Sequence, residues 1–136
     1  FGRARAGATD IAKIMTQNNP YLTDTIIVPV PTARHRVRQR GFDHTLLLAK
    51  EVSRITNLRC LIPLHRLGKS QQVGTKRELR KKQVINSFWC SSDLSSQKIL
   101  LIDDVVTTGA TIEEAARTLK QAGAKQVDAL IFAQKK

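Results

Sequence analysis

The sequence predicts an α/β fold, a mostly parallel, twisted sheet of about five strands with helices on both faces. Short β-branched and aliphatic runs alternate with helical stretches that carry an apolar stripe. Connections in the last third are short, as strand–helix–strand units require. One apolar run also ends in two adjacent aspartates, at the strand end where open α/β sheets bind ligands. The 136 residues suit one domain spanning 1–136. A chain of this size buries roughly 68–70% of its unfolded surface.

Thr9 or Asp10 is placed to cap a first helix through about Asn18, with Ile11, Ile14 and Met15 on one stripe. Thr25–Val30 is β-branched and bounded by Pro29 and Pro31, the pattern of a buried strand. Asp43 opens a helix to about Thr56 whose Leu47, Leu48, Val52 and Ile55 face inward. Arg59–Leu64 reads as a second short strand. Residues 68–83 are polar and cationic and contain Gly68 and Gly74, so a loop is expected. Within it, Thr75 and Glu78 have capping-box spacing for one short helix. Lys98–Ile102 is the apolar run that ends in Asp103 and Asp104. Thr111–Ala122 is helical, with Thr111 and Glu114 again at capping-box spacing and Gly123 as a left-handed cap. Val127–Ala133 is the last strand.

Charge is distributed unevenly along this order. The chain has 23 Lys plus Arg against 11 Asp plus Glu, a net of +12. Residues 34–82 hold 14 of the basic and three of the acidic side chains, a net of +11, so nearly all the excess lies in the middle third. Such a stretch is either a solvated basic face or a site for polyanions, phosphorylated metabolites or nucleic acid. A hydrophobic content of 41% with 25% charged residues excludes a chain too polar to build a core. No apolar run approaches the roughly 18 residues of a membrane span. Cys60 and Cys90 are too few for a disulfide framework or a four-cysteine zinc site, and a reduced, cytoplasmic setting is expected. The sequence starts at Phe1, without Met or an apolar signal segment, so a piece of a longer chain is expected.

The chemistry concentrates in residues 99–111. A buried strand delivers Asp103 and Asp104, and the turn after them holds Thr107, Thr108, Gly109 and Thr111 directly before a helix. Backbone N–H groups of such a turn and helix N-terminus cradle a phosphate, and threonine hydroxyls add donors. Carboxylates take sugar hydroxyls or Mg²⁺ a few ångströms away, which together outline a ribose 5-phosphate. A Walker B strand also ends in acids, but no G-x-x-x-x-G-K-[ST] occurs in this chain. Receiver domains carry their acidic pair near the chain start and lack a Thr-rich turn. A purely structural corner has no use for two adjacent carboxylates, which repel without a counter-ion. His35, His44 and His65 lack ligand-like spacing and read as surface or loop residues. Phe88 and Trp89 read as core or interface, and Cys60 as a buried small hydrophobe.

The run from Asp103 to Thr111 resembles the phosphoribosyl pyrophosphate (PRPP) signature of type I phosphoribosyltransferases. The wider chain, about residues 26–134, resembles the ComF/GntX branch of that superfamily, named for bacterial competence and gluconate-related proteins. The likeness includes Pro29-Val30-Pro31, Arg40-Gly41-Phe42, Gln72-Val73-Gly74 with Arg77, and then Asn86 and Phe88. Asp43-His44 stands where that branch usually has Asn-Gln. The cysteine-rich N-terminal segment common in the branch does not occur in this sequence. Thr107 stands where 6-oxopurine transferases have an acid, so that specific activity is not expected.

The resemblance implies a type I phosphoribosyltransferase-like fold and a set of roles. Asp103 and Asp104 would hold the ribose hydroxyls, directly or through water on Mg²⁺, the implied cofactor. Thr107, Thr108, Gly109, Ala110 and Thr111 would bind the 5′-phosphate. Pro31, Thr32, Ala33 and Arg34 would form the pyrophosphate loop, with Arg36, Arg38 and Arg40 beyond it. Lys69, Lys76 and Arg77 would belong to a flexible loop closing over the site. The implied function is transfer of a phosphoribosyl group from PRPP with release of pyrophosphate, to an acceptor the sequence does not name. The alternative is a non-catalytic, PRPP-binding accessory protein of competence and DNA uptake, with competence-machinery partners and weak single-stranded DNA binding. Simple DNA binding ranks third, because there is no helix-turn-helix and only six aromatic residues are present to stack on bases.

Overall fold

The central strands are buried on both faces, and alternate side chains go to different layers. The structure, a computed structural model, describes residues 24–67, 87–106 and 109–134, together with Asp10 and Lys13. The elements run β1 (Thr25–Pro29), α1 (Arg34–Arg40), α2 (His44–Thr56), β2 (Leu64–Arg66), β3 (Phe88–Cys90), β4 (Lys98–Val106), α3 (Ala110–Gln121) and β5 (Gln126–Gln134). β1, β4 and β5 form a parallel sheet in the order β1-β4-β5. Ile27 of β1 and Leu100 and Ile102 of β4 pack against Leu48, Ala49 and Val52 of α2. Their neighbours Ile26, Val28, Ile99 and Leu101 pack on the other side with Ala115 and Leu119 of α3. Period-two projection from the strands thus puts one helix on each face, as the sequence predicts.

The count and the edges of the sheet differ from expectation. Among the described residues the parallel sheet has three strands, and β2 with β3 forms a separate antiparallel pair. The strand expected at Arg59–Leu64 is instead a single parallel bridge of Cys60 to Ile27, flanked by bonds from Ile27 N–H to the Arg59 carbonyl and from Leu61 N–H to the Ile27 carbonyl. Pro63 supplies no N–H, and the strand begins only at Leu64. Cys60 is half-buried against the α2 side of the sheet, and burial pushes its thiol up.

α1 and β3 are not foreseen by the apolar pattern. Arg34–Arg40 has Val37 as its single apolar residue, so no stripe marks it as helical. Gly41 ends it at φ +76°, with its N–H on the Val37 carbonyl at 2.8 Å. β3 buries Phe88 in the core and leaves Trp89 44% exposed, stacked on His65 of β2. β4 runs four residues beyond Ile102, carrying both aspartates inside the strand. The capping box expected of Thr111 and Glu114 does not form. Gly109, at φ +83°, is the N-cap, which puts Thr111 inside the helix, while Glu114 is buried and pairs with Arg117. Gly123 is left-handed at φ +105°, as predicted. The expected first helix apart from Asp10 and Lys13, and the loop of residues 68–83 with its short helix, lie outside the described residues. Among the described residues no helix is long and apolar enough to cross a membrane.

Candidate functional site

Three chain segments meet at the carboxyl end of the parallel sheet. β1 ends at Pro29, paired with Ile102, so Asp103 and Asp104 extend past the β1 edge. Asp103 still registers with Ile131 of β5. Its pKa is pushed up to about 7, first by burial and then by the charge of Asp104. The Asp104 N–H, which donates to Asp103 Oδ1 at 2.9 Å, and the charge of Arg66 act in the opposite direction.

Asp104 is held from the other side. Arg40 Nη1 and His44 Nδ1 each lie 3.2 Å from its Oδ2. A carboxylate only accepts, so the Nδ1–H of His44 is the donor. The Thr45 hydroxyl stands 3.5 Å from Oδ1, at the outer limit of a hydrogen bond. The Phe42 ring meets His44 edge-on at 6.0 Å between centroids and limits how the imidazole turns.

The segment expected to take pyrophosphate joins β1 to α1. Pro31 and Thr32 are half-buried, Ala33 is the α1 N-cap and Arg34 is its first residue. The Thr32 hydroxyl donates to Asp43 Oδ1 at 2.9 Å, and the same oxygen accepts the Leu46 N–H at 3.1 Å. Asp43 is therefore the α2 N-cap that the sequence predicts, and it is also a tie to the loop. The Pro31 carbonyl accepts from Arg66 Nε at 2.6 Å, and the Arg66 guanidinium lies 5.1 Å from the Phe88 ring centroid.

Of the residues expected to bind the 5′-phosphate, Gly109 is the N-cap of α3 and Ala110 and Thr111 are its first two residues. Their N–H groups belong to the turn of a helix that has no intrahelical acceptors. Thr107 and Thr108 lie outside the described residues, as do Lys69, Lys76 and Arg77. Asp103 and Asp104 lie near the end of β4, which α3 follows in the chain, and Arg40 at the end of α1 and His44 at the start of α2 are in contact with Asp104. A cleft of about 250 Å³ runs between the 31–32 loop, the start of α2 and β2, and it reaches Asp43, Ile62, His65 and Arg66. Neither Asp103 nor Asp104 lines it. His44, read from the sequence as a surface or loop residue, is instead the half-buried first residue of α2 in contact with Asp104, and Arg66 is a residue that sequence reasoning passed over. The sequence placed His44 directly after a helix cap but carried no sign of its contact 60 residues away.

Comparison with known proteins adds a family. Residues 46–136 match the model of the phosphoribosyl transferase domain. Competence protein ComFC of Bacillus subtilis (strain 168) is 34% identical over 98 residues, which cover 72% of this chain and 39% of that protein. DNA utilization protein YhgH of Escherichia coli (strain K12) is 32% identical over 105 residues, covering 74% and 45%. The chain thus spans less than half the length of these curated relatives. Glutamine PRPP amidotransferase from B. subtilis, solved with ADP and GMP, superposes with a TM-score of 0.67 at 17% identity. That overlay covers 94% of this chain and 26% of the amidotransferase, and shows a shared fold.

Proposed function

Because the chain belongs to the phosphoribosyl transferase domain family, in its ComF branch, we propose that it binds PRPP and transfers the phosphoribosyl group to an acceptor with release of pyrophosphate. The observation that carries this reading is the junction of β4 and α3. A half-buried carboxylate at Asp103 stands near the end of the strand that precedes α3, whose N-cap is left-handed Gly109. In this reading Asp103 and Asp104 serve the ribose end. Gly109, Ala110 and Thr111, with Thr107 and Thr108 before them, donate to the 5′-phosphate. Pro31, Thr32, Ala33 and Arg34 serve the pyrophosphate. Lys69, Lys76 and Arg77 are assigned to a closing loop on sequence alone.

The donor set suits Mg²⁺. Carboxylate oxygens are hard ligands of the kind this ion takes. The ion would be held by Asp103 and Asp104 through water, and when bound it offsets charge on the departing pyrophosphate. The remaining work falls to the chain. Asp103 fixes the ribose, the start of α3 fixes the 5′-phosphate, and the cationic α1 lies beyond the pyrophosphate loop. The C1′–O bond breaks with its electron pair leaving on pyrophosphate, and an acceptor nitrogen forms the new bond to C1′. Positive charge developing on the sugar is stabilised by fixed groups already in place. A reduced, cytoplasmic setting is part of the same reading.

The names of the relatives favour a second reading, a non-catalytic PRPP-binding accessory protein of DNA uptake. There the basic middle third would make weak contacts with single-stranded DNA, and competence proteins would be partners. Calorimetric titration with PRPP and Mg²⁺, followed by an acceptor screen for pyrophosphate release, tests both. Binding with release supports transfer, binding without release supports the accessory role, and absence of binding rejects both.

A further inference from the structure

β2 and β3 form a ribbon with two unlike faces. Leu64 and Phe88 are buried on one face, and Cys90 packs against the same core. Alternation sends His65 and Trp89, which pair directly across the two strands, to the other face. There the two rings stack at 4.5 Å between centroids, and Trp89 is 44% exposed. Ser91 has one hydroxyl hydrogen and donates it to the Pro63 carbonyl at 3.2 Å. The 3.1 Å contact between His65 Nε2 and the Ser91 hydroxyl is therefore donated by Nε2–H. That bond fixes the imidazole, and the imidazole backs the indole.

The charge along this part of the chain has one sign. Residues 57–67 and 87–92 contain Arg59 and Arg66, both exposed, and no Asp or Glu. The sequence between them adds six Lys and Arg against a single Glu. An exposed indole in a cationic setting suits a polyanion whose units carry π faces. Inorganic polyphosphate has none, and a duplex hides its own inside the stack. We propose that Trp89, backed by His65, is a stacking platform for a base of single-stranded DNA. The choice of DNA rests on the accessory reading above, and the platform is independent of phosphoribosyl transfer. A base lies on the exposed part of the Trp89 ring, while the surrounding positive charge attracts the phosphates. His65 is a positioning residue that holds the ring for it.

Trp89 is the one tryptophan of the chain, so its emission reports the platform alone. The test titrates wild type, W89A, W89F and H65A with an oligothymidylate of about 12 nucleotides at several salt concentrations, following anisotropy and tryptophan emission. Binding should quench the emission of the wild type. An abasic strand of the same length keeps every phosphate, and it should bind about tenfold more weakly and leave the emission unchanged. W89A should lose about tenfold in affinity with its salt slope unchanged, because no phosphate contact leaves with the ring. W89F keeps a π face and should recover most of that loss, and H65A should fall between wild type and W89A. Calorimetric PRPP affinity should be the same in W89A and wild type. DNA binding without quenching, or with equal affinity in W89A, would overturn the platform and leave this face to a protein partner. A wild type that binds no oligonucleotide would overturn the platform and the DNA contact of the accessory reading together, with the transfer reading still in place. If W89A fails to fold, quenching and the abasic strand, both read on the wild type, decide alone.

Discussion

His44 Nδ1 and Asp104 Oδ2 stand 3.2 Å apart across 60 residues of sequence. The contact joins the first residue of α2 to the last part of β4, ahead of the expected phosphate cradle. Arg40 adds a second donor to the same oxygen, but it is half-exposed, and exposed pairs contribute only about 0–1 kcal/mol. Position, more than stability, is what this contact supplies.

Asp43 links the same corner to the 31–33 loop and caps α2. Asp43→Ala should lower stability by about 1 kcal/mol, within the roughly 0.5–2 kcal/mol span of N-cap losses, and Asp43→Asn should be nearly neutral. Urea unfolding of the two variants checks the ordering.

Gly109 and Gly123 both have positive φ, but their surroundings differ. Among the described residues an added Cβ at Gly109 meets nothing within 4 Å, whereas at Gly123 it meets Ser95 Cα and Oγ at 3.0 Å. Gly109→Ala should therefore cost only the left-handed strain, about 1–2 kcal/mol. Gly123→Ala should cost visibly more in the same denaturation series. Gly109→Val should lose more PRPP affinity than its loss of stability explains, since its side chain stands at the phosphate cradle.

Leu48 is fully buried between α2 and the sheet, while Ile62 is 51% exposed. Leu48→Ala should destabilise by about 2–5 kcal/mol. Ile62→Ser should stay within about 0.5 kcal/mol of wild type, as exposed positions generally do. Thermal and urea unfolding separate the two.

The basic middle third invites a nucleic-acid test. If it serves mainly a compact polyphosphate, a labelled single-stranded oligonucleotide should bind weakly and lose affinity with salt at a slope of about −0.7 per neutralised phosphate. PRPP with Mg²⁺ should compete in fluorescence anisotropy. Tight, salt-resistant binding that ignores PRPP would put the DNA-uptake role first.

Much of this architecture was legible because burial writes a period into sequence. The Thr25–Val30 and Lys98–Ile102 runs are apolar on both faces, as strands between two helix layers must be, and both are strands. Leu48 and Val52 mark α2, and Asp43 is its cap. Elements stabilised by other means left no such mark. α1 has one apolar residue and depends on Gly41 for its end, and β3 is three residues long and, among the described residues, pairs with β2 alone. The capping-box reading at Thr111 failed because Gly109 starts α3 earlier by adopting a left-handed backbone. At the site, Asp103, Asp104 and Gly109 stood out through their spacing. His44 did not, because its partner is distant in sequence and a lone histidine has no pattern.

The presence of a phosphorylated-ribose site at the β4–α3 junction is tested most directly by calorimetric titration of wild type and the D103N/D104N double variant with PRPP, with and without Mg²⁺. The expected result is saturable binding that depends on Mg²⁺ in the wild type and is lost in the double variant, while the double variant still unfolds cooperatively. Equal PRPP affinity in the two proteins, or no binding by the wild type, would contradict the assignment.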